Sequence, residues 1–180
     1  MTDLIFLDTE TTGLDPDNHE IWEIAWAIND GPVEERILVH SLKTADPKAL
    51  ELNTYLEHHP TGARSEGPMV DLEVRQVLSG NTIVCANPTF DRMFMRNRWG
   101  YEPYHYRSID IESMALTVFG WDRPKGLKDI SLHLQEHGFN IADPLHRAWI
   151  DVVTLRECYK ALRELQQRAT KGDIWGTIHG

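Results

Sequence analysis

The stretch that most constrains this chain is Phe6-Leu7-Asp8-Thr9-Glu10-Thr11-Thr12-Gly13-Leu14, which continues directly from Leu4-Ile5. A short apolar run bounded by turn residues reads as a buried strand, here residues 3–8. Side chains alternate faces along a strand, so Asp8 and Glu10 point the same way. Two neighbouring carboxylates at the end of a buried strand repel each other, and loss of water makes the repulsion worse. A cation between them resolves the conflict, and their hard oxygen ligands suit Mg²⁺ or Mn²⁺. A divalent-metal site is the working reading, and the rest of the chain has to supply its other ligands.

The bulk of the sequence permits such a site in an ordinary folded domain. Its 180 residues suffice for one domain with a real core, and 41% hydrophobic against 26% charged residues excludes a disordered chain. No apolar run approaches a membrane span, and Met1-Thr2-Asp3 lacks the basic start of a signal peptide. Cys85 and Cys158 sit in apolar segments and read as buried free thiols, which places the protein in a reducing cytoplasm. The net charge of −10 excludes a protein that coats nucleic acid by bulk electrostatics. The charge is uneven: residues 1–90 hold 16 acids against 5 Lys/Arg, and residues 91–180 hold 12 against 13. Arg92, Arg96, Arg98, Arg107, Arg123, Lys125, Lys128 and Arg147 therefore read as solvated helix faces, with a local path for a phosphate backbone as the alternative.

Residues 21–29 read as a second strand, interrupted by Glu23, and the turn Asn29-Asp30-Gly31-Pro32 sets residues 33–40 antiparallel to it. Asp46-Pro47 has the form of an N-cap followed by proline at the first helical position, predicting a helix to about residue 56. A loop follows to about residue 68, then a helix over 69–78 and a buried strand over 82–86. Asn87-Pro88 breaks that strand and opens a helix to Gly100. A short strand over 107–110 precedes helices over 113–119 and 127–136. Asp143-Pro144 reads as another helix entrance, with the last helix running to about residue 168 and a polar tail at 171–180. Strands first, then helices mixed with strands, predict an α/β domain over 1–170. Its mixed five-stranded sheet combines a three-strand antiparallel meander with parallel strands, with helices on both faces. The Trp residues read as core, with base stacking by Trp99 or Trp121 as an alternative.

Polar residues meet apolar elements in three places: Asp8-x-Glu10, Asn87-Pro88-Thr89-Phe90-Asp91, and His146-x-x-x-x-Asp151. Taken singly, Asp91 satisfies a helix N-terminus, Asp151 fits an exposed helix face, and His146 fits a helix entrance. Taken together, four carboxylates at strand ends and helix starts suit two divalent ions roughly 3.5–4 Å apart clamping a phosphoryl displacement. Five helical steps put His146 and Asp151 about 140° apart, so His146 belongs in the turn or the first helical turn, reaching in from the side.

With these motifs in order, the chain resembles the DEDDh group of 3′–5′ exonucleases of the ribonuclease H-like superfamily. That group includes polymerase proofreading subunits, ribonuclease T and oligoribonuclease. The resemblance rests on Phe6 to Leu14, Asn87-x-x-Phe90-Asp91 and His146-x4-Asp151, with a weaker likeness over Gly126-Leu127-Lys128-Asp129-Ile130 to Gly138-Phe139, and spans about residues 3–168. It implies a ribonuclease H-like fold in which Asp8, Glu10, Asp91 and Asp151 bind two Mg²⁺ or Mn²⁺ ions, Asp8 touching both, with His146 as general base. The implied reaction releases nucleoside 5′-monophosphates from the 3′ ends of single-stranded or frayed DNA or RNA. By the same likeness Thr9, Leu14, Asn87 and Phe90 hold the terminal nucleotide, with Leu14 as a wedge beside its base. Phe90 fits core packing equally well, and Thr11, Thr12 and Gly13 fit the shaping of the loop. Leu52-Asn53 stands where many relatives carry Val-His, and Pro88-Thr89 replaces smaller residues. Relatives include dimers and polymerase-associated subunits, so a homodimer and a polymerase or replication and repair partner are among the expectations. The competing readings are an accessory subunit that docks such an enzyme and a phosphohydrolase of small nucleotides.

Overall fold

The computed structural model describes residues 2–58 and 67–170. The expected tail at 171–180, with Trp175, and most of the loop before residue 68 lie outside the described residues. Five strands form one sheet in the order β3-β2-β1-β4-β5. They are β1 (Leu4–Thr11), β2 (Ile21–Ile28), β3 (Val33–Ile37), β4 (Thr82–Cys85) and β5 (Ile109–Asp110). β2 runs antiparallel to β1 and to β3, while β4 is parallel to β1 and β5 to β4. β3 stops at Ile37, short of the expected residue 40; its sequence, Val-Glu-Glu-Arg-Ile, is only half-buried, and a short charged strand is a usual sheet edge. β1 extends past residue 8 because Thr9, Glu10 and Thr11 continue the ladder opposite β2, up to a register irregularity at Glu10/Thr11.

The helices are α1 (Pro47–Leu52), α2 (Tyr55–His58), α3 (Pro68–Leu78), α4 (Pro88–Trp99), α5 (Ile111–Phe119), α6 (Leu127–Glu136) and α7 (Ala148–Thr170). Strand alternation divides the core in two. Ile5, Leu7, Ile24, Trp26 and Ile83 pack under α3 and α4 through Val74, Leu78, Phe94 and Met95. Phe6, Ala25, Ala27 and Val84 pack under α5, α6 and α7 through Ile111, Ile130, Val152, Leu155 and Leu162. β2 is buried on both faces along nearly its whole length, as expected of a strand covered on both sides. Cys85 and Cys158 are buried free thiols.

Two expectations need correction. The helix predicted over 47–56 is broken: Asp46 caps α1 as expected, accepting from Lys48 N–H at 2.9 Å, but Asn53 ends it and Thr54 has φ 49°. The buried side chain of Asn53 causes the stop, since its Nδ2 donates to the Thr11 carbonyl at 2.9 Å and draws the chain inward. The helix entrance at Asp143-Pro144 is also absent. Asp143 accepts from Gln135 Nε2 at 2.9 Å, and α7 begins only at Ala148.

Candidate active site

β4 pairs with β1 only as far as Phe6–Val84, so Asp8 and Glu10 lie on the part of β1 that runs on past its parallel neighbour. They share the face that carries Phe6, which is the α7 face. At the end of β4, Asn87 adopts a left-handed conformation with φ 55° and turns the chain into α4, with Pro88 in its first turn. This brings Asp91, one turn on, back against β1, where Thr9 Oγ1 donates to Asp91 Oδ1 at 2.8 Å in a buried bond. Asp151 stands in the first turn of α7, and its Oδ1 accepts the Leu145 N–H at 2.9 Å. His146 is not helical; it sits in the turn before α7 with φ 53° and is exposed. One ligand atom each from Glu10, His146 and Asp151 lie within 4.8 Å of one another.

All nine residues singled out in the sequence, Asp8, Thr9, Glu10, Leu14, Asn87, Phe90, Asp91, His146 and Asp151, line one cleft of about 300 Å³. Ala49, Leu52 and Asn53 complete the wall beside Leu14. Leu14 is 75% and Leu52 60% exposed, which gives the cleft an apolar rim. Phe90 does two things: it packs beside Phe94, at a ring-centroid distance of 4.8 Å, and it faces the cleft. The threonine-glycine turn is internally tied. Thr11 Oγ1 donates to Gly13 O at 2.6 Å and Thr12 Oγ1 accepts from Glu20 N–H at 3.0 Å. Neither Trp99 nor Trp121 lines the cleft. A wider depression of about 570 Å³ lies beyond the β1–β2 loop, but its Arg98 and Trp99 are committed to Asp71 at 2.6 and 2.7 Å. Of the basic residues singled out in the second half, Arg92, Arg98 and Arg147 pair with acids, the first two at 2.7 and 2.6 Å.

The carboxyls of the cleft are held in a state they resist. Burial first, then the charges of Glu10, Asp91 and Asp151, push Asp8 well above the usual carboxylate range. Glu10 is pushed up to about 9 by burial and then by Asp151 and Glu23, while a hydrogen bond from Asn53 pulls it down. Burial raises Asp91 to about 7 against the lowering effect of its Thr9 bond. Burial also raises Asp151, which the Leu145 N–H and His146 partly offset. Among the described residues no Lys or Arg lines the cleft. An oxygen-rich, cation-poor cluster of mutually raised acids fits divalent metal ions, because their charge would relieve the repulsion that now favours protons.

Two contributors escaped the sequence reading, and a third, Asn53, noted there as a departure from the relatives' Val-His, borders Glu10. Glu23, which read as an interruption of a strand, is fully buried directly across from Glu10 on β2. Arg147, read as one of several surface cations, lies 3.8 Å from Glu23 Oε1 and 3.5 Å from Glu35 Oε1. A lone acid inside an apolar strand was the available signal for Glu23.

No family model matches the chain. Among curated proteins it is similar to the oligoribonuclease of Pseudomonas syringae pv. tomato, 32% identical over 154 residues, covering 73% of this chain and 84% of the relative. That of Pseudomonas entomophila is 30% identical with the same coverage, and that of Legionella pneumophila 28% identical, covering 73% of this chain and 81% of the relative. Among solved structures, Escherichia coli exonuclease I in complex with a dA16 oligonucleotide superposes with a TM-score of 0.72 at 18% identity, covering 96% of this chain and 43% of that one. The chain thus spans less than half the length of exonuclease I. Exonuclease X in complex with 5′-overhanging duplex DNA matches with a TM-score of 0.56 at 20% identity, over 97% of this chain and 96% of that one. Brucella melitensis NrnC bound to pGG matches with a TM-score of 0.56 at 16% identity, covering 96% of this chain and 76% of that one. The sheet and the likenesses together define a DEDD-type 3′–5′ exonuclease of the ribonuclease H-like superfamily. Within that class the chain belongs to the oligoribonuclease family.

Proposed function

We propose that this cleft removes the 3′-terminal nucleotide of single-stranded or frayed nucleic acid with two bound Mg²⁺ or Mn²⁺ ions, releasing nucleoside 5′-monophosphates. The observation that carries the reading is that four carboxylates from β1, α4 and α7 meet His146 in one cleft whose described lining holds no Lys or Arg. Asp8, Glu10, Asp91 and Asp151 would hold the ions. When bound, the ions supply the positive charge that acidifies water and stabilises the phosphate and the leaving 3′-oxygen. Thr9 fixes the Asp91 carboxylate by its 2.8 Å bond. His146, exposed at the rim beside Glu10 and Asp151, takes the proton of the attacking water on a ring nitrogen. Leu14 and Leu52 offer apolar surface to an unstacked terminal base, with Leu14 as the wedge, and Phe90 and Asn87 flank the nucleotide from the α4 side. A rim that grips a splayed base favours single strands over intact duplex. The relatives named oligoribonuclease and the pGG bound by NrnC make short RNA the first substrate to compare with DNA.

A 5′-labelled oligonucleotide is expected to shorten stepwise with Mg²⁺ and to survive in EDTA. Cleavage of a closed circle, or release of the label as a mononucleotide from the 5′ end, would overturn the reading. His146→Ala is expected to lower turnover by roughly 10²–10⁴-fold. Near-normal turnover in that variant would remove His146 from the chemistry.

A further inference from the structure

The turn that carries His146 is anchored on both sides. Before it, the Leu145 N–H donates to Asp151 Oδ1 at 2.9 Å; after it, the Ala148 N–H donates to Glu23 Oε2 at 3.2 Å. Between these anchors His146 has φ 53°, a left-handed conformation uncommon for residues with a Cβ. The second anchor comes from the sheet, not from α7. Glu23 stands on β2 as the cross-strand partner of Glu10, and its side chain is 1% exposed. Its other oxygen, Oε1, lies 3.8 Å from Arg147 Nη2, which is itself 3.5 Å from Glu35 Oε1 on the edge strand. Glu23 does not line the cleft, and neither do Arg147 or Glu35. They form no part of its wall, yet Glu23 accepts the backbone N–H of Ala148 and, with Glu35, faces the Arg147 side chain on the α7 side of His146.

A buried carboxyl group facing an arginine is an inefficient way to stabilise a fold, since a well-packed apolar pair serves as well or better. Its advantage is direction. Here it ties the first residue of α7 and the side chain next to His146 to the strand position opposite Glu10. We propose that Glu23, with Arg147 and Glu35, is a positioning assembly for His146. It fixes the imidazole relative to Glu10 and Asp151, and so acts on the chemical step through His146. The proposal rests on the reading of His146 as the general base.

The test is a double-mutant cycle on the full chain, with a 5′-labelled single-stranded oligonucleotide and Mg²⁺. Arg147→Met and Arg147→Lys are made in the wild type and in His146→Ala, and kcat, KM and the Mg²⁺ half-saturation are measured. Arg147→Met in the wild type is expected to lower kcat by ~10- to 100-fold, as small misplacements of a reacting group do. KM and Mg²⁺ half-saturation are expected to stay within about twofold, because substrate and ion contacts are untouched. In His146→Ala the same substitution is expected to change nothing further, and Arg147→Lys is expected to recover part of kcat. Glu35→Gln, on the half-exposed edge strand, gives a second perturbation that leaves the core intact and is expected to lower kcat in the same direction. An equal loss from Arg147→Met in both backgrounds, a shifted Mg²⁺ requirement, or a wild-type kcat in Arg147→Met and Glu35→Gln overturns the positioning role while His146 stands. Near-normal turnover of His146→Ala overturns the base reading and this proposal with it.

Discussion

At the scale of single residues, Asp8 carries the sharpest conflict between folding and chemistry. It sits on the central strand, and burial together with Glu10, Asp91 and Asp151 raises its carboxyl well above the ordinary range. Removing its charge should therefore help the metal-free fold and harm metal binding. Asp8→Asn is expected to melt higher than the wild type in EDTA and to lose the increment that Mg²⁺ gives the wild type, since an ion stabilises only the state that binds it. Thermal melts in EDTA and in Mg²⁺ check both statements, and identical melting of the two proteins in both conditions would mean that Asp8 does not share an ion with its neighbours. Glu10 was legible beside Asp8 because strand alternation put both on one face. Glu23 was not, because nothing in its own strand shows that its cross-strand partner is Glu10 or that its carboxyl reaches the N-terminus of α7. Cross-strand pairing is a property of two segments, and a single segment does not contain it.

At the scale of elements, two identical dipeptides had different fates. Asp46-Pro47 caps α1, with the Asp46 carboxyl accepting from Lys48 N–H at 2.9 Å. Asp143-Pro144 does not start α7, because Asp143 is drawn to Gln135 of α6 and the Leu145 N–H is taken by Asp151. Local sequence offered a helix start at both places, and contacts from distant residues decided against the second. The same competition broke the predicted helix at Asn53, whose amide serves Thr11 of β1. The meander and the strand before Asn87 were legible because alternation and turn residues are themselves local. The β1–β2 loop has a property that can be tested at this scale. A Cβ on Gly13 would lie 2.5 Å from the His19 ring, and the His19 Nδ1 accepts from the Asp15 N–H at 3.0 Å. Gly13→Ala is therefore expected to displace His19, loosen the loop that presents Leu14, and raise KM more than it lowers kcat. Steady-state kinetics decides this: a fall in kcat at unchanged KM would mean that the loop shapes the carboxylate cluster and not the rim.

At the scale of the whole molecule, the site couples stability to pH and to metal in a way that its sign makes checkable. Folded-state values of about 9 for Glu10, 8 for Glu23 and 7 for Asp91 all lie above the ordinary carboxyl values of 4.5, 4.5 and 3.8. For Glu23 the rise comes from burial and then from the neighbouring Glu35 carboxyl, against the Ala148 N–H and Arg147. The native state thus holds these protons more tightly than the unfolded chain does. That contribution is fully present below the unfolded values and is lost as pH rises through the folded ones. In EDTA the melting temperature should accordingly fall between about pH 5 and about pH 9. A bound divalent ion replaces the protons and favours the ionised cluster, so the increment from saturating Mg²⁺ should grow across the same interval. Proton release on adding Mg²⁺ at neutral pH, read in a weakly buffered solution with an indicator dye, is the same linkage seen from the ligand side. A Mg²⁺ increment independent of pH, with no protons released, would mean that the raised acids of β1 and α4 are not the groups that meet the ion. Glu23 supplies the internal control. It lies outside the cleft but adds to the rise of Glu10, so Glu23→Gln should flatten part of the slope in EDTA and weaken the pH dependence of the Mg²⁺ increment less than Asp8→Asn, which removes a proposed ligand.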